Sequence, residues 1–150
     1  MAFSKDIFVS YSREDTVKEF VQKLKRDLEG AQVSVWLDIE DIPTGTEEPL
    51  AVAIAFTALS NCKALIAILT KKYISSTFCK SELYFACSTD QKPIFPVVRE
   101  EGWEAAAVSE ECSEGVKYMK AACNWVSFLP NDDYGLALQK LVQNVNKQGV

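Results

Sequence analysis

Histidine is absent from this chain, which removes the most common general base at neutral pH, every Ser-His-Asp or Cys-His nucleophile and every imidazole metal ligand. The five cysteines, Cys62, Cys79, Cys87, Cys112 and Cys123, include no Cys-x-x-Cys pair. An odd count with such spacing is not a secreted disulfide scaffold and reads as reduced thiols in a cytoplasmic protein. No metal site is expected. The six glycines, at positions 30, 45, 102, 115, 135 and 149, form neither a Gly-x-Gly-x-x-Gly turn nor a Walker loop, so the usual backbone cradles for a dinucleotide or triphosphate are missing. Chemistry must then come from carboxylates, hydroxyls and guanidinium groups. Those that follow predicted strands are Tyr11, Ser12 and Arg13, then Asp38 and Glu40, then the run Phe78-Cys79-Lys80-Ser81-Glu82.

Alternating strands and helices must position them. Asp6–Tyr11 is rich in β-branched and aromatic residues and reads as a buried strand. Val17, Phe20, Val21, Leu24 and Leu28 fall on one helical stripe, with Thr16 and Glu19 spaced as a capping box and Gly30 as the stop. Val33–Leu37 reads as a second strand, and Asp38–Gly45, which contains Pro43, as an exposed loop. Thr46, Glu47, Glu48 and Pro49 suit the first turn of a helix reaching about Ser60. Ala64–Leu69 is a short, continuously apolar run of the kind found in central parallel strands. Thr70–Thr77 reads as a polar connection, Cys79–Ser88 as a helix with Leu83, Ala86 and Cys87 inward, and Pro93–Val98 as a fourth strand. Arg99–Glu114 carries six glutamates against one arginine and reads as a solvated connection. Asn124–Phe128 is a fifth strand, and Leu138, Leu141, Val142 and Val145 mark a last helix beginning near Asn131 or Asp132.

Such alternation predicts an α/β fold, a five-stranded parallel sheet with helices on both faces and strand order 2-1-3-4-5. In that order the chain reverses direction across the sheet between strands one and three, where ligands sit outside the carboxyl ends of the strands. The rim there is made of Ser12–Asp15, Asp38–Thr46 and the stretch from Thr70 to the helix containing Glu82. A phosphoacceptor receiver domain is excluded, because the ends of strands one and three hold Tyr11-Ser12 and Thr70 rather than carboxylates. The length of 150 residues is that of one domain, expected to occupy 1–150. With 21 acidic and 16 basic residues and a net charge of −5, the chain repels a phosphate backbone, so nucleic acid is not an expected partner. Apolar runs such as Ala51–Phe56 fall far short of the ~20 residues that cross a bilayer, so no membrane contact is expected.

The rim residues resemble a known family. Asp6-Ile-Phe-Val-Ser-Tyr11 followed by Ser12-Arg13-Glu14-Asp15-Thr16, then Val35-Trp-Leu-Asp38 leading into Asp41-Ile-Pro-Thr-Gly45, then Tyr73-Ile-Ser-Ser-Thr-Phe-Cys79-Lys-Ser-Glu82-Leu83 are similar, in order and spacing, to the TIR domain, the Toll/interleukin receptor and resistance-protein module. That resemblance implies the flavodoxin-like, three-layer TIR fold. It also implies one of two functional classes. Some TIR domains are NAD hydrolases that break the nicotinamide glycosidic bond, and their activity depends on a glutamate four residues after an aromatic residue. Others are non-catalytic adaptors acting only through TIR–TIR assembly. Phe78 and Glu82 match the hydrolase spacing, which tilts the choice towards an enzyme in innate-immune or cell-death signalling, activated by self-association. NAD is then the substrate and no cofactor is implied.

On this reading Glu82 is catalytic and Tyr11, Ser12, Arg13, Asp38 and Phe78 bind substrate. Other TIR domains are partners, met through the loop containing Asp41, Ile42, Pro43 and Gly45. One carboxylate suffices chemically. Ordinary glycosidases need a general acid to protonate a departing alkoxide, whereas the nicotinamide of NAD is already a pyridinium cation and leaves as a neutral base. Water would give ADP-ribose, and attack by the adenine ring cyclic ADP-ribose. Each residue also has a plainer reading. Glu82 could complement a helix dipole at the surface, Asp38 could cap a turn, Arg13 could be an exposed cation, and Tyr11 and Phe78 could be core or lid aromatics. Cys79 reads as a small packed residue, since no histidine can activate it.

Overall fold

A computed structural model describes residues 4–89, 91–103 and 124–150. The five strands form one sheet in the order β2-β1-β3-β4-β5, every pair parallel. They are β1 (Lys5–Ser10), β2 (Val35–Trp36), β3 (Cys62–Leu69), β4 (Ile94–Val98) and β5 (Val126–Ser127). Around them lie α1 (Asp15–Gly30), α2 (Asp38–Asp41), α3 (Glu48–Ser60), α4 (Lys71–Ser75), α5 (Thr77–Tyr84), which runs on into a π-helical turn at Phe85–Thr89, and α6 (Tyr134–Lys147).

The period of two along each strand splits the core into two apolar layers. Ile7, Val9, Val35, Ile66, Ile68 and Phe95 face α1 and α6, whereas Phe8, Trp36, Leu65, Ala67 and Leu69 face α3, α4 and α5. Helices therefore cover both faces, as the alternation predicts. β3 pairs on both sides and is buried along its length apart from Lys63. Pro96 is tolerated inside β4 because β5 pairs only from Val97 onward. Along the edge before that point, the Asn124 amide donates to the Ile94 carbonyl at 2.9 Å.

Several local expectations are corrected. The helix start at Thr16 gives way to an N-cap at Glu14 without side-chain capping, because the Glu14 carboxylate instead accepts from the Ser12 hydroxyl at 3.2 Å. Gly30 is not the stop but the last helical residue. The Val33 N–H donates to the Leu28 carbonyl and the Gln32 N–H to the Glu29 carbonyl, a Schellman closure that puts Gln32 at φ 69°. α6 closes the same way with Gly149 at φ 76°. Gln32→Gly should therefore stabilise the fold by roughly 0.5–1 kcal/mol, read from denaturant midpoints, since glycine adopts that backbone without steric cost. A midpoint that moves down would contradict this account of the closure.

The stretch after β2 is not all loop: Asp38–Asp41 forms the one-turn helix α2, because the Leu37 carbonyl accepts from the N–H groups of Glu40 and Asp41. The Thr70–Thr77 connection contains α4, whose Tyr73 and Ile74 are buried. α4 starts where the Thr70 hydroxyl accepts from the Tyr73 N–H at 3.1 Å. β2 and β5 are shorter than predicted, and the last helix starts at Tyr134, after Asp133 caps the Leu136 N–H. Residues 104–114 of the acidic connection lie outside the described residues. No helix among the described residues is long and apolar enough to cross a membrane.

Candidate functional site

β1 ends at the carboxyl rim with Ser10, Tyr11 and Ser12, whose side chains diverge by the strand period. Ser10 shares the face of Phe8 and looks towards α4 and α5. Tyr11 shares the face of Val9 and packs in the layer of α1. α5 begins where the Ser76 hydroxyl caps the Cys79 N–H at 3.2 Å. From there one and a half turns bring Glu82 inward beside Leu83. Glu82 is only 4% exposed, so the surface reading of this carboxylate fails. The Ser10 hydroxyl donates to Glu82 Oε1 at 2.7 Å and lies 3.0 Å from the Tyr73 hydroxyl.

Burial pushes the Glu82 carboxyl up to about 8. The Ser10 hydrogen bond opposes that rise, the Asp38 charge adds to it and the Arg13 charge opposes it. In this conformation the group is largely a neutral acid at neutral pH.

Four side chains, Tyr11, Arg13, Asp38 and Phe78, wall the hollow beside Glu82. The Tyr11 hydroxyl donates to Asp38 Oδ1 at 2.5 Å, and Arg13 Nη2 meets Asp38 Oδ2 at 2.9 Å. The Arg13 guanidinium also lies over the Phe78 ring, 5.8 Å from its centroid. Phe78 in turn meets Phe56 of α3 edge to face at 6.3 Å. The hollow bounded by Tyr11, Arg13, Asp38, Phe78 and Glu82 has a free volume of about 10 Å³, space for one water molecule. Outside the wall, Tyr11, Ser12, Arg13, Phe78 and Cys79 border an open cleft of about 770 Å³, enough for a nucleotide-sized ligand.

The predicted substrate-binding set thus comes together at one place. Asp38 does more than cap a turn: besides Tyr11 and Arg13 its Oδ1 accepts the Ile39 N–H at 2.8 Å. Ser12 is buried, within 3.2 Å of both Glu14 Oε1 and Thr70 Oγ1. Burial pushes the Cys79 thiol up to about 12, so it is no nucleophile at neutral pH.

The loop residues divide. Pro43 and Gly45 are exposed in a turn closed by the Thr46 N–H on the Pro43 carbonyl, with Gly45 at φ 86° as the third turn position of type II requires. Ile42 packs against the second apolar layer. Asp41 faces inward to Lys5 and Lys25, at 3.7 and 3.6 Å. Sequence reasoning missed Ser10 and Tyr73, the hydroxyl pair next to Glu82. A signal existed for Ser10, a lone hydroxyl on the apolar face of β1, but nothing local marks Tyr73 as its partner. No group of residues among those described could hold a metal ion.

A sequence profile described as the TIR domain matches residues 7–142. No curated protein matches the chain. Among solved structures, the TIR domain of the Toll-related receptor TRR-2 from Hydra magnipapillata superposes with a TM-score of 0.68 at 15% identity, covering 95% of this chain and 99% of that one. The RPS4 and RRS1 TIR domain heterodimer gives 0.64 at 8% identity, covering 95% and 96%. The TIR domains of the activated Roq1 resistosome, which directly recognises the pathogen effector XopQ, give 0.56 at 21% identity, covering 95% and 84%. At these identities the likeness is one of fold.

Proposed function

Since the chain belongs to the TIR-domain family, we propose that it is an NAD hydrolase of innate-immune or cell-death signalling, with Glu82 as its catalytic carboxylate. The observation that carries this reading is a buried carboxylate, alone in its burial among the described carboxylates, at the β1/β3 switch point, one side-chain layer beneath a cleft of nucleotide size. In the reaction the bond between the ribosyl carbon and the nicotinamide nitrogen breaks, and both its electrons stay on the nitrogen. Nicotinamide departs neutral and needs no proton, so the proton carried by the buried Glu82 carboxyl is released to solvent beforehand and takes no part in bond breaking. Positive charge develops on the ribosyl ring, and the ionised Glu82 stabilises it in a poorly hydrated hollow where such an interaction is strong. Water then adds and yields its proton to solvent, giving ADP-ribose, or the adenine ring adds to give the cyclic isomer. Arg13 meets the pyrophosphate, Phe78 and Tyr11 offer faces to flat rings, and Asp38 and Ser12 orient the ribose.

A space of about 10 Å³ admits no ribose, so Arg13 and Phe78 must swing out before substrate enters. Self-association through Ile42, Pro43 and Gly45 supplies the driving force for that step. α3, which follows this loop, supports association: Glu48–Ser60 is apolar on nearly every side, yet only Ala55 and Leu59 are buried. A helix of that composition ordinarily lies inside a larger core.

The test is to incubate the purified chain with NAD at high protein concentration and follow nicotinamide by chromatography, with Glu82→Ala alongside. Nicotinamide from the wild type alone is expected. No nicotinamide, or equal amounts from both, would overturn the reading and leave an assembly-only adaptor. The rate per molecule is further expected to climb with protein concentration; a rate strictly proportional to protein would mean that association does not open the hollow.

A further inference from the structure

α1 buries one charged residue among its apolar stripe: Lys25, 7% exposed. A buried ammonium is retained only where partners offset its desolvation, and here both partners come from α2. Lys25 Nζ lies 3.5 Å from Glu40 Oε1 and 3.6 Å from Asp41 Oδ2. The same Asp41 oxygen accepts the Leu37 N–H at 2.8 Å. The other Asp41 oxygen faces Lys5 Nζ at 3.7 Å, and Lys5 also donates to the Val35 carbonyl at 3.3 Å. Two lysines, from α1 and β1, thus converge on the C-terminal end of a single helical turn.

The N-terminal end of that turn is Asp38, the residue that ties Tyr11 and Arg13 across Glu82. α2 is only four residues long, and the bonds from the Leu37 and Asp38 carbonyls make it one rigid piece. A backbone shift of Asp38 therefore draws Asp41 away from Lys25. Beyond Asp41 the chain runs straight into the exposed turn at Pro43–Thr46, so a pull on that turn reaches Asp38 through this junction.

We infer that Lys25 is a positioning residue: with Lys5 it latches Glu40 and Asp41, and so fixes α2 and the Asp38 cross-tie that keeps the Glu82 hollow shut. This assignment rests on the hydrolase reading for its catalytic consequence, but not for its structural one. Where the competent state is a minor fraction of the molecules, loosening the latch raises that fraction and lowers the apparent KM in proportion.

A buried thiol gives a readout that needs no catalysis. Cys79 borders the wall and is almost fully buried, and burial pushes it up to about 12. Its alkylation rate, read by peptide mass spectrometry with iodoacetamide and divided by the rate that global unfolding alone allows, set from urea unfolding of the same protein, isolates local opening at Cys79. The variants are Lys25→Met and, independently, the α2 pair Glu40→Gln with Asp41→Asn. The pair keeps an acceptor for the Leu37 N–H and leaves the apolar stripe of α1 untouched, so it serves even if Lys25→Met does not fold.

This labelling ratio should rise roughly tenfold, with faster amide exchange at Leu37, Asp41 and Ile42, because a local opening equilibrium has been shifted. For NAD cleavage by dilute protein, KM should fall several-fold with kcat little changed. An unchanged labelling ratio in a folded variant overturns the latch. A raised ratio in proteins that release no nicotinamide supports the latch and removes the hydrolase reading instead.

Discussion

Replacing Glu82 by glutamine should lower NAD cleavage by roughly 10²-fold or more and at the same time make the domain more stable in alkaline solution. Both effects come from the same burial. Glutamine keeps the shape and an acceptor for the Ser10 hydroxyl, but carries no charge to set against a forming ribosyl cation. The stability effect follows from proton linkage. Free in the unfolded chain, the carboxyl has the ordinary value of 4.5; folded, burial raises it to about 8. Between those values the folded state binds more protons than the unfolded state, so the stability of the wild type declines as pH rises through that window. At ~1.4 kcal/mol per unit the total is on the order of 5 kcal/mol. Glu82→Gln removes this dependence. The two proteins should unfold alike near pH ~5, and the variant should be the more stable by a few kcal/mol near pH ~9. Thermal or urea unfolding across that range reads the difference. Parallel stability curves would mean that Glu82 is hydrated in the folded protein, and the proposed mechanism would lose its sheltered carboxylate. A protein that holds a costly group at the price of stability is what a functional site leads one to expect.

How much of this could be read in advance depends on the range of the interactions involved. The sheet order and both apolar layers follow from runs such as Ala64–Leu69 and stripes such as Val17–Leu28, in which burial and spacing are one signal. The rim residues Tyr11, Arg13, Asp38, Phe78 and Glu82 are brought together by that topology alone, once each is known to follow a strand or open a helix. Helix ends are less legible, because they turn on competition for one side chain. Glu14 bonds Ser12 instead of capping α1, and Gln32 takes the left-handed position that composition assigns to a glycine. Least legible are long-range polar contacts. Tyr73 reaches Ser10 across 63 residues of sequence, and nothing in α4 announces it. Lys25 sits in an apolar stripe where its type argues for the surface, and only its partners on α2 explain its burial. The closed wall over Glu82 is likewise a property of side-chain placement that no spacing rule contains.

The pH dependence of turnover carries the second large effect, and its direction follows from the state in which the free protein rests. For kcat/KM the reference is the free protein, whose hollow is shut and whose Glu82 holds its proton up to about 8. If the ionised carboxylate is the working form, kcat/KM should climb about tenfold per pH unit from near pH ~6 to near pH ~8 and level off above. The profile of kcat should bend at lower pH, because a bound pyridinium next to Glu82 favours its ionised form. Two neighbours should move the midpoint of kcat/KM in opposite directions. Ser10→Ala removes the hydrogen bond that favours the carboxylate and should shift it to higher pH. Asp38→Asn removes the like charge that opposes ionisation and should shift it to lower pH, whatever it does to the maximal rate. Chromatographic initial rates of nicotinamide release, measured over that range at fixed ionic strength, give all three midpoints. A flat wild-type profile would exclude Glu82 as the titrating group. Shifts of the same sign in both variants would mean that distortion of the wall, rather than the field acting on the carboxyl, governs the response.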